Sequence, residues 1–142
     1  MLSNKVINYF KANGWWYEDI AEEYSLALIE LDIDLDSEFA EFYLHVEDGP
    51  TFSRKYGEIY QICWFVTNSS YDICLQRTHN ALGLPMEYIP LDSFEGGGGF
   101  FYNRNTREVL YLELGKKIED FLVGKLMPQW KDFNDFLEWF FL

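Results

Sequence analysis

The residues of this chain that are chemically able to act on a substrate are few, and their spacing suits no standard site. His45 and His79 are its only histidines. A Ser-His-Asp or Cys-His site needs a nucleophile, a base and an orienting group that converge, and nothing around Cys63 or Cys74 supplies such a set. The two cysteines stand eleven residues apart, which fits no metal-binding spacing and no disulfide framework. They read as two thiols packed in a reducing compartment. Asp32-x-Asp34-x-Asp36 resembles the start of a calcium-binding loop, but Ser37 stands where that loop needs Gly and Tyr43 where it needs a bidentate Glu. Weak, nonspecific divalent binding by the clustered carboxylates is what remains of that idea. Gly96 to Gly99 is glycine-rich, yet no Gly-Lys-Ser/Thr follows and a strand comes next, so a phosphate cradle is excluded. The run instead suggests backbone freedom or close packing under a neighbouring element. With 24 acidic residues, any carboxylate pair for glycoside hydrolysis is a coincidence until geometry supports it. The reading is therefore non-enzymatic, with no cofactor and no metal.

The elements that must position these residues are legible from periodicity. Tyr17 to Leu31 predicts a helix, with Ile20, Tyr24, Ala27, Leu28 and Leu31 on one face. Asp32 to Asp36 alternates as an extended connection. Asp36 or Ser37 caps a second helix that runs to about Val46 through Phe39, Phe42 and Tyr43, and Asp48-Gly49-Pro50 ends it. Ile59 to Thr67 is β-branched and aromatic and reads as a buried strand. A short helix from Ser70 to Leu82 follows, then an edge strand from Tyr88 to Leu91. Gly99 to Tyr102 and Glu108 to Leu112 flank a polar turn as a β-hairpin. Phe133, Phe136, Leu137, Phe140 and Phe141 define a last helix, with Asp132 at its N-cap. Helices at both ends of an antiparallel middle predict an α+β fold in a single domain spanning residues 1–142.

Charge supplies the functional lead. The 142 residues contain 24 Asp plus Glu against 11 Lys plus Arg, a formal net charge of −13. The segment from Glu18 to Asp48 holds twelve of those acids and no base, so all but one of the net negative charges lie within it. A free-standing nucleic-acid binder needs the opposite sign, and an anionic membrane repels such a chain. An apolar fraction of 49% and an aromatic fraction of 20% exclude disorder and imply a dense core. The Glu18–Asp48 acids are either solvated helix faces or a surface that attracts a basic partner and speeds its docking. Trp15-Trp16-Tyr17 beside them is either a hydrophobic staple for the first major helix or an aromatic interface anchor. The first ten residues hold no long apolar run, and no stretch is long enough to span a bilayer. A cytoplasmic location is expected.

The order of these features resembles the SUKH superfamily, mostly bacterial immunity proteins related to a fungal regulator of cell-wall synthesis. The resemblance covers roughly residues 18–142. It rests on Ile20-Ala21-Glu22-Glu23, Ile33-Asp34-Leu35, Ser37 to Tyr43, Glu47-Asp48-Gly49 and Leu84 to Leu91. It continues through Gly97 to Asn103, Thr106 to Leu112, and Trp130 to Leu137. The chain departs from the family pattern at Leu35-Asp36, where relatives often carry Leu-Pro, and at Arg107, where they often carry Gly. The resemblance implies a central, mostly antiparallel sheet flanked by helices, no universal catalytic residues, and a role in binding and neutralising a toxin, often a nuclease with a basic cleft. On that reading the toxin-binding residues are Trp15, Trp16, Glu18, Glu22, Glu23, Glu30, Asp32, Asp34, Asp36, Glu38 and Glu41. They sit on a monomer or weak dimer that contacts neither nucleic acid nor membrane. A regulatory interaction module that binds a host-cell partner is the alternative.

Overall fold

The computed structural model describes residues 1–142. In chain order it contains α1 (Asn4–Ala12), α2 (Glu22–Glu30), α3 (Glu38–His45), β1 (Thr51–Arg54), β2 (Gly57–Tyr60), α4 (Ile62–Asn68) and α5 (Tyr71–Gln76). A π-helical turn (Arg77–Ala81) continues α5, and β3 (Tyr88–Pro90), β4 (Gly98–Asn103), β5 (Val109–Glu113), α6 (Lys116–Leu122) and α7 (Phe133–Phe141) complete the chain. The class is α+β. All strand pairing is antiparallel, but the sheet is split: β1 and β2 form a two-stranded ribbon, and β3-β4-β5 form the central sheet.

The central sheet is buried on both faces, which explains the unbroken apolar runs of its hairpin. Alternate side chains of a strand point to opposite faces. Ile89, Phe100, Tyr102 and Val109 accordingly join the main core with α1, α3 and α7, whereas Tyr88, Phe101, Leu110 and Leu112 pack with Ile118 of α6. The hairpin register pairs Phe101 with Leu110 and Phe100 with Tyr111. Beyond β5, Trp130 bridges Val109, and the Gln129 side chain bonds both the N–H and the C=O of Tyr111 (3.0 and 3.2 Å). A strand edge that would otherwise template aggregation is thereby covered.

The helix ends follow their caps. Ser37 Oγ accepts from Ala40 N–H at 3.1 Å, and Asp132 accepts from Asp135 N–H at 2.8 Å. Both are ordinary N-caps, placed where the periodicity puts the starts of α3 and α7. Four expectations need correction. The predicted strand Ile59–Thr67 ends at Tyr60 and becomes α4 at Ile62, because the buried Gln61 side chain accepts from Cys63 N–H at 2.9 Å and caps a helix there. The helix predicted from Tyr17 starts only at Glu22, because residues 15–17 pair with the end of α3 instead. Asp32 to Asp36 is not extended: Asp32 takes a left-handed φ of 60°, and Asp34 Oδ1 accepts from Asp36 N–H at 2.9 Å in a tight turn. The segment Asn4–Ala12, assigned no element from its sequence, is a helix with Ser3 at its N-cap and Val6 and Phe10 in the core.

The hairpin turn is tied to this acidic turn. Arg104 donates to the Leu31 carbonyl at 2.8 Å and to the Met86 carbonyl, and Arg107 pairs with Asp34 at 2.8 Å. Arg107 has a φ of 68°, a region where glycine is favoured over L residues. The Asp34 pair is the visible reason for an arginine at a glycine-favouring position. The left-handed strain costs about 1–2 kcal/mol, and an exposed ion pair together with the extra freedom glycine gives the unfolded chain offsets a similar amount. Arg107→Gly is therefore expected to be nearly neutral alone and to stabilise by about 1 kcal/mol in an Asp34→Ala background, as read by urea denaturation.

Candidate functional site

The acidic segment is positioned by a short zipper along the end of α3. Trp16 bridges Val46, Tyr17 N–H donates to the His45 carbonyl at 2.7 Å, and Glu47 N–H donates to the Trp15 carbonyl at 3.0 Å. Alternation then sends successive side chains to opposite sides. Trp15 turns inward onto Phe10, Phe52 and Phe141, with ring centroids 6.2–6.4 Å away. Trp16 stacks on the His45 imidazole at 4.7 Å with Lys11 over its ring, and the exposed Tyr17 lines the same cleft as Trp15. Both tryptophans are half-buried. The ring partners of Trp15 thus belong to α1, β1 and α7, with none on the helix α2 that it was expected to staple, and Trp16 shows part of its ring at the surface.

The zipper, the end of α1 and the start of α2 enclose an open cleft of about 700 Å³. Its walls carry four carboxylates, Asp19, Glu23, Glu47 and Asp48, and no Lys or Arg. Tyr24 lies among them. Burial, and then the adjacent Glu47 carboxylate, push its phenol well above the usual tyrosine range, so the hydroxyl stays a neutral donor. Tyr43 and Val46 also line the cleft, and the buried Gln61 amide donates to the carbonyls of both, at 3.0 and 2.7 Å.

The sequence-derived acids divide into two groups. Some are structural. Asp34 is engaged by Arg107, Glu41 accepts from Leu2 N–H at 2.7 Å, and Glu38 lies 3.7 Å from the N-terminal ammonium and accepts from Asn134 N–H at 3.4 Å. Burial followed by repulsion from Asp132 holds the Glu38 carboxyl above the ordinary range. Glu18 has a loose partner in Lys11 at 3.9 Å. Glu22, Glu23, Glu30, Asp32 and Asp36 are exposed and make no ion pair. Three further acids of the Glu18–Asp48 segment, Asp19, Glu47 and Asp48, line the cleft. The structure also adds two residues that sequence reasoning passed over, Leu26 and Ile29, both exposed on α2. The signal for Leu26 and Ile29 was present: neither belongs to the Ile20-Tyr24-Ala27-Leu28-Leu31 stripe.

The chemical candidates fall into structural roles. His45 Nδ1 bonds the Tyr17 carbonyl and His79 Nε2 the Tyr88 carbonyl, each at 2.7 Å, so each ring nitrogen involved is a donor to backbone. Burial pushes the Cys63 thiol up to about 12, far from a reactive thiolate. No three His, Cys, Asp or Glu side chains come together in a way that would hold a metal ion. No helix is long and apolar enough to cross a membrane. No protein-family model matches this chain, and neither a curated protein nor a solved structure matches it.

Proposed function

We propose that this chain is a binding protein that masks the basic surface of a partner by steric and electrostatic occlusion, and that the partner is a toxin which the chain neutralises in the cytoplasm. The observation that carries the reading is the display of the acidic segment: unpaired carboxylates on α2, on the turn after it and around the cleft, without one cation in the cleft wall. The resemblance to SUKH immunity proteins supplies the toxin. A concentrated negative surface raises the encounter rate with a positive one and loses that advantage as salt screens it.

The test is co-expression with the product of the adjacent upstream gene, scored by growth and by co-purification. Growth restored only when both are made supports the proposal; failure of both assays overturns it. For the purified pair, charge reversal at Glu22, Glu23, Asp32 and Asp36 is expected to slow association about 10- to 100-fold at low salt and far less at high salt. An association rate indifferent to salt and to these changes would sink the electrostatic half of the proposal.

A further inference from the structure

The outer face of α2 has an arrangement that folding alone does not require. Successive helical residues are turned by about 100°, which places Ile29, Glu22, Leu26, Glu30 and Glu23, in that order, across an arc of about 120°. All five are exposed, with Leu26 at 58% and Ile29 at 56%. The opposite arc is committed: Ala27 and Leu28 are buried in the main core, and the helix packs on α4. The helix is therefore apolar on two sides, and only one side is covered. A lone exposed leucine needs no explanation. Here two branched apolar side chains lie one turn apart, each flanked by carboxylates that make no ion pair.

We propose that this face docks a basic amphipathic segment of the partner protein, with apolar side chains seated on Leu26 and Ile29 and Lys or Arg side chains facing Glu22, Glu23 and Glu30. Charge complementarity selects that occupant. A second copy would set three carboxylates against three more, in a chain already at −13. An anionic membrane meets the same repulsion. An apolar centre within a charged rim is the ordinary anatomy of a protein interface, where the centre supplies affinity and the rim supplies rate and selectivity. The inference rests on the reading of the chain as a binder of a basic partner and says where on the surface that binding occurs.

The test uses the full chain and a synthetic helix-forming peptide of about 18 residues, with leucine along one face and lysine along its borders. A version with glutamate in place of lysine is the control. Titration calorimetry at low salt is expected to show binding of the lysine peptide only. Leu26→Ser combined with Ile29→Ser should weaken it about 10- to 100-fold, since two exposed side chains lose their partner surface without disturbing the core. Glu22→Lys with Glu30→Lys should weaken it about tenfold, and Glu119→Lys on α6 should leave it unchanged. Binding that ignores the serine pair, or that falls equally with Glu119→Lys, overturns the proposal in favour of diffuse attraction to a polyanion. Absence of peptide binding overturns it as well, and so does self-association in high salt that the serine pair abolishes. The growth assay described above decides the toxin reading separately, so the two fail independently.

Discussion

Gln61→Glu is expected to destabilise the protein by about 3–5 kcal/mol at neutral pH, although the two side chains have almost the same shape. Gln61 is fully buried. Its Oε1 accepts from Cys63 N–H and starts α4, and its Nε2 donates to the carbonyls of Tyr43 and Val46 that end α3. Glutamate keeps the acceptor and so keeps the cap. It replaces the donor with an oxygen that faces two carbonyls, leaving both orphaned and a charge buried beside them. Each unsatisfied buried polar group costs about 1–3 kcal/mol, more when charged. Against a typical total of about 5–15 kcal/mol, that is a large share. Gln61→Leu removes the cap as well and is expected to cost a similar amount without the charge. Urea denaturation at pH 7 and pH 5 separates the two. The glutamate variant should recover part of its stability at pH 5, where a protonated carboxyl can donate to one carbonyl, and the leucine variant should not. A glutamate variant as stable as the parent would show that the two carbonyls find other donors.

The same residue shows where the sequence is hard to read. Ile59, Tyr60, Ile62, Phe65, Val66 and Thr67 have strand composition, and intrinsic propensity favours one strand through all of them. The chain divides at Gln61 because a buried side chain satisfies three backbone groups at once, a tertiary event with no local periodicity. The reverse holds for α7, whose Phe-x-x-Phe-Leu spacing and Asp132 cap define the helix without help from the rest of the fold. The hairpin was legible for the same reason: its register is set locally by the turn that Arg107 closes. Residues 17–21 misled because their apolar members suit a helix. Tyr17 N–H instead donates to the His45 carbonyl at the far end of α3, and the neighbouring Trp15 carbonyl accepts from Glu47 N–H, interactions decided about 30 residues along the chain.

The acidic segment was legible as a charge but not as a surface. Counting acids treats Glu38 and Glu30 alike. In the fold, Glu38 and Glu41 hold the N-terminus against α3, and Asp34 holds the hairpin turn, so three of the acids serve the structure first. The free ones cluster on α2 and around the cleft. Which carboxylates are free depends on contacts more than 35 residues away in sequence, such as Leu2 with Glu41 and Arg107 with Asp34. That separation turns a segment-wide net charge into a local cluster of free carboxylates.

Gly99→Ala is expected to cost about 2–4 kcal/mol, and most of that cost should vanish in an Asp92→Ala background. A Cβ on Gly99 would collide with the Asp92 carboxylate. Asp92 is buried between β3 and β4 and accepts from Phe94 N–H and Phe100 N–H, both at 3.1 Å, so its two oxygens hold both ends of the glycine loop. Moving it orphans two buried donors and overpacks a tight site. Removing the carboxylate first eliminates the collision, and the double-mutant cycle should return a coupling of about 2 kcal/mol. The carboxylate also makes stability depend on pH. Burial raises its pKa to about 7, against the opposing pull of the two N–H groups and Arg77. The folded state therefore holds a proton that the unfolded chain releases near its ordinary value of about 4. This contribution to stability is complete below that value and is lost as pH rises through about 7. Between pH 5 and pH 8 the parent should lose about 2–3 kcal/mol from this group. Asp92→Asn, which cannot ionise, should show a correspondingly flatter profile in the same range. Profiles of equal slope would mean that the two backbone donors stabilise the carboxylate enough to keep it ionised in the folded state.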